Sequence, residues 1–181
     1  MRIIAPRQRG AKDIAKSSDP MNPFDRAFAL VKMPIVPGSM KRVPGNSKYE
    51  DRYSALFEDP KSGEELDMMG RIHNLDDNLN FHSHIRRPGD DSHAHRASLQ
   101  GHNDRFAGEP YVTPSGSYVD MDFRRRGYAT AMYDLIAAIL AREGKPGLSP
   151  SGDRSAGSEA LWRSRDIGTV GEWPVRDDLV G

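Results

Sequence analysis

The chain has no cysteine. That one absence removes a disulfide scaffold, a thiolate zinc site and a cysteine nucleophile. It also has no net charge, because 26 Lys and Arg balance 26 Asp and Glu. Bulk charge therefore does not support generic polyanion binding, and nucleic acid is not an expected partner. No stretch approaches the roughly 20 apolar residues that a membrane span needs. The apolar run in Met1-Arg2-Ile3-Ile4-Ala5-Pro6 is far too short for a signal peptide. These absences predict a cytoplasmic protein with no membrane partner. Hydrophobic residues are also scarce, at 36% against 29% charged, so 181 residues suffice for one modest core with length left for arms or loops.

Thirteen prolines and seventeen glycines punctuate what is present. Residues 1–25 read as a polar basic arm, with Arg2, Arg7, Arg9, Lys12 and Lys16 and no periodicity. A domain is expected over 26–167. Within it, 27–73 should hold a strand, Ala27 to Met33 closed by Pro34, and then a hairpin. Arg52 to Phe57 runs out, Asp59-Pro60-Lys61-Ser62-Gly63 reverses the chain, and Leu66, Met68 and Ile72 line one face of the return. Residues 74–110 have few apolar anchors and five of the six histidines. They predict a long polar loop, with a short strand around Leu79 to Ile85.

Order returns over 111–167. Ser117-Tyr118-Val119 ends a strand, Phe123 to Arg126 turns, and Gly127 to Arg142 is the strongest helix in the chain. Ala129, Met132, Tyr133, Ile136 and Leu140 form its apolar stripe, which Leu135 and Ile139 widen, so the helix should be buried on much of its circumference. Gly144 and Pro146 stop it. Leu148 to Ser151 makes a short strand, and Ser155 to Arg165 a second helix capped by Ser155 or Asp153. Residues 168–181 form a C-terminal tail in which Trp173 is a candidate docking anchor. The fold class is α+β: a mixed, mainly antiparallel sheet flanked by helices, with a polar arm at each end.

The chemistry concentrates at Val119-Asp120-Met121-Asp122-Phe123-Arg124-Arg125-Arg126-Gly127-Tyr128-Ala129-Thr130. A strand enters a basic turn that opens directly into a long helix. The first amides of such a helix lack partners and stand at the positive end of its dipole, which suits a diphosphate. Gly127 lets backbone approach an anion, Ala129 keeps the approach clear, and arginines add fork-shaped donors. Arg124-x-x-Gly127-x-Ala129 resembles the Arg/Gln-x-x-Gly-x-Gly/Ala signature of the GNAT (GCN5-related) N-acetyltransferases. The downstream runs Leu148-Ser149-Pro150-Ser151-Gly152 and Ser158-Glu159-Ala160-Leu161-Trp162 are similar to acetyltransferase-like proteins of phages and plasmids.

The resemblance covers the C-terminal third and implies an acyl-CoA N-acyltransferase-like fold with acetyl-CoA as cofactor. The acceptor is an amine, on a small molecule or a protein lysine. Val119, Met121, Arg124, Arg125, Arg126, Gly127, Tyr128, Ala129 and Thr130 become the cofactor-binding residues. A strand N–H near Val119 to Met121 polarises the thioester carbonyl. The family's usual tyrosine acid falls at Trp162, whose indole N–H is a donor but no proton source; Tyr133 or Tyr128 is then the candidate replacement.

Other groupings have plainer readings. His82/His84 and His93/His95 share i, i+2 spacing, as metal ligands sometimes do, yet without cysteine or a firm strand they imply no metal. His82 or His84 is an alternative base. Asp120 and Asp122 lie where they can hold the cradle arginines, and Glu64-Glu65 decorates the hairpin. The competing function is a non-catalytic phage-type structural or assembly protein, in the host cytoplasm or the virion, that self-associates through its arms on an acetyltransferase-like scaffold.

Overall fold

Period-two alternation builds a six-stranded sheet. β2 (Glu50–Glu58) buries Tyr53, Ala55 and Phe57, and β3 (Glu65–Leu75) buries Leu66, Met68 and Ile72. β4 (Asn78–Arg86) buries Leu79, Phe81 and Ile85, and β5 (Ala97–Phe106) contributes Ala97 and Leu99. β1 (Lys41–Val43) and β6 (Glu109–Val119) form the edges of the order β1-β2-β3-β4-β5-β6. The computed structural model describes residues 34–75, 78–90, 95–106, 109–165 and 171–180. The expected 1–25 arm, the Ala27 to Met33 strand and His93 lie outside these residues.

The expected hairpin is present and its turn works as read. Gly63 takes φ +69°, and Asp59 Oδ1 accepts the amides of Lys61 and Ser62 at 2.8 and 3.2 Å. Two expectations need correction. Residues 74–110 are not a long loop, for they contain the paired strands β4 and β5. β5 hides itself because its second half, Gly101-His102-Asn103-Asp104-Arg105, has no apolar alternation; hydrogen bonding to β4 and β6 makes it a strand. The sheet is also antiparallel at every strand pair rather than mixed. The one parallel contact among the described residues is an isolated bridge between Val112 and Leu148.

The long helix α1 (Tyr128–Arg142) lies across β3, β4 and β5. It is buried all round, from Ala131 through Leu140, as a helix apolar on every side must be. Gly70 of β3 admits it closely, since a Cβ there would meet Leu135 and Ile139 side-chain carbons at 2.9 and 2.5 Å. The outer side of α1 is covered by α2 (Ala156–Arg163), whose N-cap is Ser155, and by the segment leading to α3 (Asp177–Val180).

Residues 171–180 are therefore anchored to the core through buried Trp173, Arg176 and Leu179. Trp173 is 1% exposed and stacks among Tyr133 and Trp162, with ring centroids 4.8 and 5.1 Å away. Full burial of side chains this large contributes on the order of 2–3 kcal/mol each. Its indole Nε1 donates to Asp134 Oδ1 at 2.8 Å. Asp134 is buried on α1, with Arg165 and Arg176 at 3.5 and 3.6 Å. Burial pushes the Asp134 carboxyl up, while the Trp173 hydrogen bond and the two arginines pull it down. Nothing in the local sequence marks this aspartate, because its partners lie far along the chain.

At the crossing of β5 and β6 a Cβ on Gly101 would stand 2.1 Å from the Thr113 carbonyl oxygen and 2.4 Å from the Phe81 ring. Gly101→Ala should cost about 2–3 kcal/mol in urea unfolding, since backbone cannot yield. Gly70→Ala meets only flexible side-chain ends and should cost about 1 kcal/mol. Equal midpoints for the two variants contradict this packing.

Candidate functional site

β6 carries the candidate site along its length. At its C-terminal end Asp120 caps a 3-10 turn, Met121–Phe123, its side chain accepting the Asp122 amide at 3.2 Å. The backbone then turns left-handed twice, at Arg125 (φ 60°) and Gly127 (φ 82°), before α1 begins at Tyr128. Its N-cap, Gly127, offers no side-chain cap, and no other cap of that helix start occurs among the described residues. Its first amides therefore keep the orphan donors that favour an anion. Ala129 and Thr130 are part-exposed in this first turn, and Met121 is 76% exposed beside it.

The three arginines have separate roles. Arg124 is exposed, its Nε donating to the Val119 carbonyl at 3.1 Å, and Arg125 is also exposed. Arg126 turns inward, donating from Nη1 to Asp59 Oδ2 at 3.2 Å. Tyr128 likewise points its side chain into the protein, where its hydroxyl donates to the same oxygen at 2.7 Å. Only its backbone stays with the helix start. Burial raises the Tyr128 hydroxyl to about 12, and its side chain is not among the residues that line the cleft described below.

Asp59 thus holds Arg126, a task the sequence assigned to Asp120 and Asp122. It is wholly buried in the β2–β3 turn. Burial pushes its carboxyl up, but hydrogen bonds from Tyr128, the Lys61 and Ser62 amides and Arg126 outweigh this and hold it below the ordinary value. Glu64 does more than decorate the hairpin. It pairs with Arg96 at 2.8 Å and Arg87 at 2.9 Å, and Arg96 in turn lies 4.3 Å over the Phe123 ring and donates to Tyr128 Oη at 3.3 Å. The hairpin turn, β5 and the basic turn are locked into one network.

Upstream on β6 the strand is bulged. Gly116 pairs with Gln100 and Pro114 with Gly101, which leaves Ser115 as the extra residue. Beyond the Val112–Leu148 bridge, where Ser149 N donates to Val112 O at 2.7 Å, the chain at Ser151 parts from β6. A cleft of about 220 Å³ opens between them. Ser115, Gly116 and Ser117 form one wall, and Tyr133, Arg154 and Trp162 are among the residues of the other. The two candidate catalytic residues, Tyr133 and Trp162, therefore meet in one cleft, edge to face at 5.5 Å. Burial pushes the Tyr133 hydroxyl up, while Ser158 and Trp162, facing it, lower it. Trp162 Nε1 nonetheless falls outside hydrogen-bonding geometry.

Sequence reasoning missed the bulge and Arg154. Pro114-Ser115-Gly116 inside a strand was the available signal, since Pro and Gly within strands mark bulges. The expected carbonyl-polarising N–H near Val119 to Met121 is partly committed, because Asp120 N donates to Arg96 O at 2.9 Å. A larger hollow of about 450 Å³ beside β1 and β2 is lined from Arg42 to Asp51, chiefly by exposed loop residues, and joins neither feature.

His82 and His84 do share one face of β4, with ring centroids 5.5 Å apart and His95 6.1 Å beyond. Burial lowers both, His84 to about 4. None of the three lines the cleft, and no cluster able to hold a metal occurs among the described residues. The chain matches no family model, and comparison with curated proteins and with solved structures yields no match either.

Asp59→Ala should destabilise the protein by about 3 kcal/mol, because it strands Tyr128 and Arg126 without their buried acceptor. The folded carboxyl lies below its ordinary 3.8. Its contribution is therefore complete above that value and lost as pH falls through the lower folded value. Urea midpoints should show a steeper acid loss below about pH 4 in the wild type than in Asp59→Ala. Parallel acid profiles refute the assignment.

Proposed function

We propose that the protein is an acyl-CoA-dependent N-acyltransferase with an acyl-CoA N-acyltransferase-like fold, using acetyl-CoA or a related thioester and an amine acceptor. The observation that carries this reading is continuity. An uncapped helix start behind a basic, twice left-handed turn follows directly on the strand whose bulge, further back, lines a cleft. The five residues from Gly116 to Asp120, four steps apart, span roughly 14 Å at strand rise, a separation suited to a diphosphate at one end and a reacting carbonyl at the other.

The residues present fit such a ligand. The amides of Tyr128, Ala129 and Thr130 would hold the diphosphate with the dipole of α1 behind them, and Arg124 and Arg125 would flank it. Arg126 serves instead to fix the turn through Asp59. When bound, the thioester supplies an activated acyl carbon to an attacking amine nitrogen. The new C–N bond replaces the C–S bond, the amine's proton passes to water, and the departing sulfur takes a proton. The bulge at Ser115 would offer a backbone N–H to the charge developing on the carbonyl oxygen. Tyr133, whose raised hydroxyl keeps its proton at neutral pH, is the acid that Trp162 is not.

The scaffold reading draws on one feature of the same cleft. Trp162 and Tyr133 are packed with Trp173 as core aromatics, an arrangement that serves structure as well as chemistry.

Calorimetry with acetyl-CoA should give micromolar affinity. Gly127→Val should weaken it at least tenfold while circular dichroism stays unchanged, because a β-branched residue resists φ +82°. Tyr133→Phe should lower kcat about 100-fold with little change in KM. Absence of acetyl-CoA binding, with self-association on a sizing column, favours the scaffold.

A further inference from the structure

The cleft holds two donors that lack acceptors. Arg154 is fixed by its Nε, which lies 2.9 Å from Glu159 Oε2, and its side chain is 10% exposed. Its Nη1 is buried with no hydrogen-bond partner among the described residues. Trp162 Nε1, in a side chain 1% exposed, is buried and unpartnered as well. Both residues line the same cleft. Buried polar atoms are almost always satisfied, and these two can only donate. A group that fills the cleft and satisfies both would bring acceptor oxygens.

Charge narrows the choice. Glu159 is shared, since it also takes Arg163 Nε at 2.9 Å, so the Arg154 guanidinium is only partly neutralised. Asp153 lines the same cleft and would repel a group of high negative charge. A single negative charge with paired oxygens meets both conditions, and a planar guanidinium edge recognises that shape. The space, about 220 Å³ with an aromatic wall from Tyr133 and Trp162, suits a group of a few carbons and not a large ring system.

We infer that Arg154, with Trp162 Nε1 beside it, binds a substrate carboxylate in this cleft. The role in turnover rests on the acyl-transfer reading above; the carboxylate site itself does not. Two sources share this chemistry. The carboxylate belongs either to a dicarboxylic acyl group carried as its half-thioester, or to an amino-acid acceptor whose amine is acylated.

The test uses the full chain. Tryptophan fluorescence, which Trp162 reports, is titrated with succinate against succinamide and with glycine against glycinamide. In parallel, calorimetry compares succinyl-CoA with acetyl-CoA, and coenzyme A alone is titrated as a reference. The carboxylate of at least one pair should bind tenfold or more tightly than its amide, and the pair that responds identifies the source. Arg154→Gln should remove the preference and Arg154→Lys should keep part of it, while coenzyme A alone binds both variants as it binds the wild type.

No carboxylate preference in the wild type overturns the inference, whatever the variants do. If coenzyme A binds and the preference is absent, the acyl-transfer reading survives and the Arg154 assignment falls. If a carboxylate binds and coenzyme A does not, the site stands and the acyl-transfer reading falls. A preference that persists in Arg154→Gln transfers the recognition away from Arg154 and refutes its role.

Discussion

The arrangement of the site depends on one buried carboxylate. Asp59 sits in the turn between β2 and β3, where its Oδ1 closes that turn and its Oδ2 reaches the first residue of α1 and the last arginine of the basic turn. A buried carboxylate is tolerated only when its oxygens are satisfied, and here the satisfying donors come from segments 67 and 69 residues away. The need to satisfy Asp59 therefore fixes where α1 starts and which way Arg126 points. Arg124 and Arg125 are left on the exposed side as a consequence. The inward and outward arginines are distinguished by this one acceptor and not by anything in the run Arg-Arg-Arg itself.

A second constraint acts from the other side of α1. That helix is apolar around its circumference and must be covered twice, once by the sheet and once by something else. The second cover is built from Trp162 and Trp173, with Asp134 as the polar pin that holds Trp173 in place. The same cover closes one side of the cleft. Core formation and cleft formation are thus one event: the aromatic cluster that buries α1 also presents Tyr133 and Trp162 toward Ser115 and Gly116. Between them, Asp59 sets the helix start and the aromatic cluster sets the helix's outer face, so the two ends of the proposed ligand path are held by independent interactions.

Much of the site was legible because its signals are local. The hairpin turn, the stop of α1 near Gly144, the Ser155 cap and the basic entry into α1 all depend on residues within a few positions of one another. The buried faces of β2 and β3 were legible for the same reason, since alternation of Tyr53, Ala55 and Phe57 against Leu66, Met68 and Ile72 shows in a short window. Partners far along the chain were not legible. Asp59 read only as part of a turn, Asp134 drew no reading, β5 read as loop, and Trp173 read as part of a tail, although each is buried or paired through segments remote in sequence. The cleft was half legible. Tyr133 and Trp162 were singled out separately, but their meeting depends on α2 folding back over α1.

What the amino-acid sequence by itself determined is the set of local elements: strands by alternation, the long helix by its apolar circumference, turns by proline and glycine, and the bare helix start behind three arginines. These follow from backbone sterics and side-chain periodicity, which act over a few residues and need no partner. Only the tertiary structure decided which arginine turns inward, where β5 pairs, that the tryptophan near the C-terminus belongs to the core, and that Arg154 faces an unfilled need for acceptors. Those outcomes are settled by satisfying buried polar groups across long separations, and the energy of such a pairing is defined only once both partners have been brought together and removed from water.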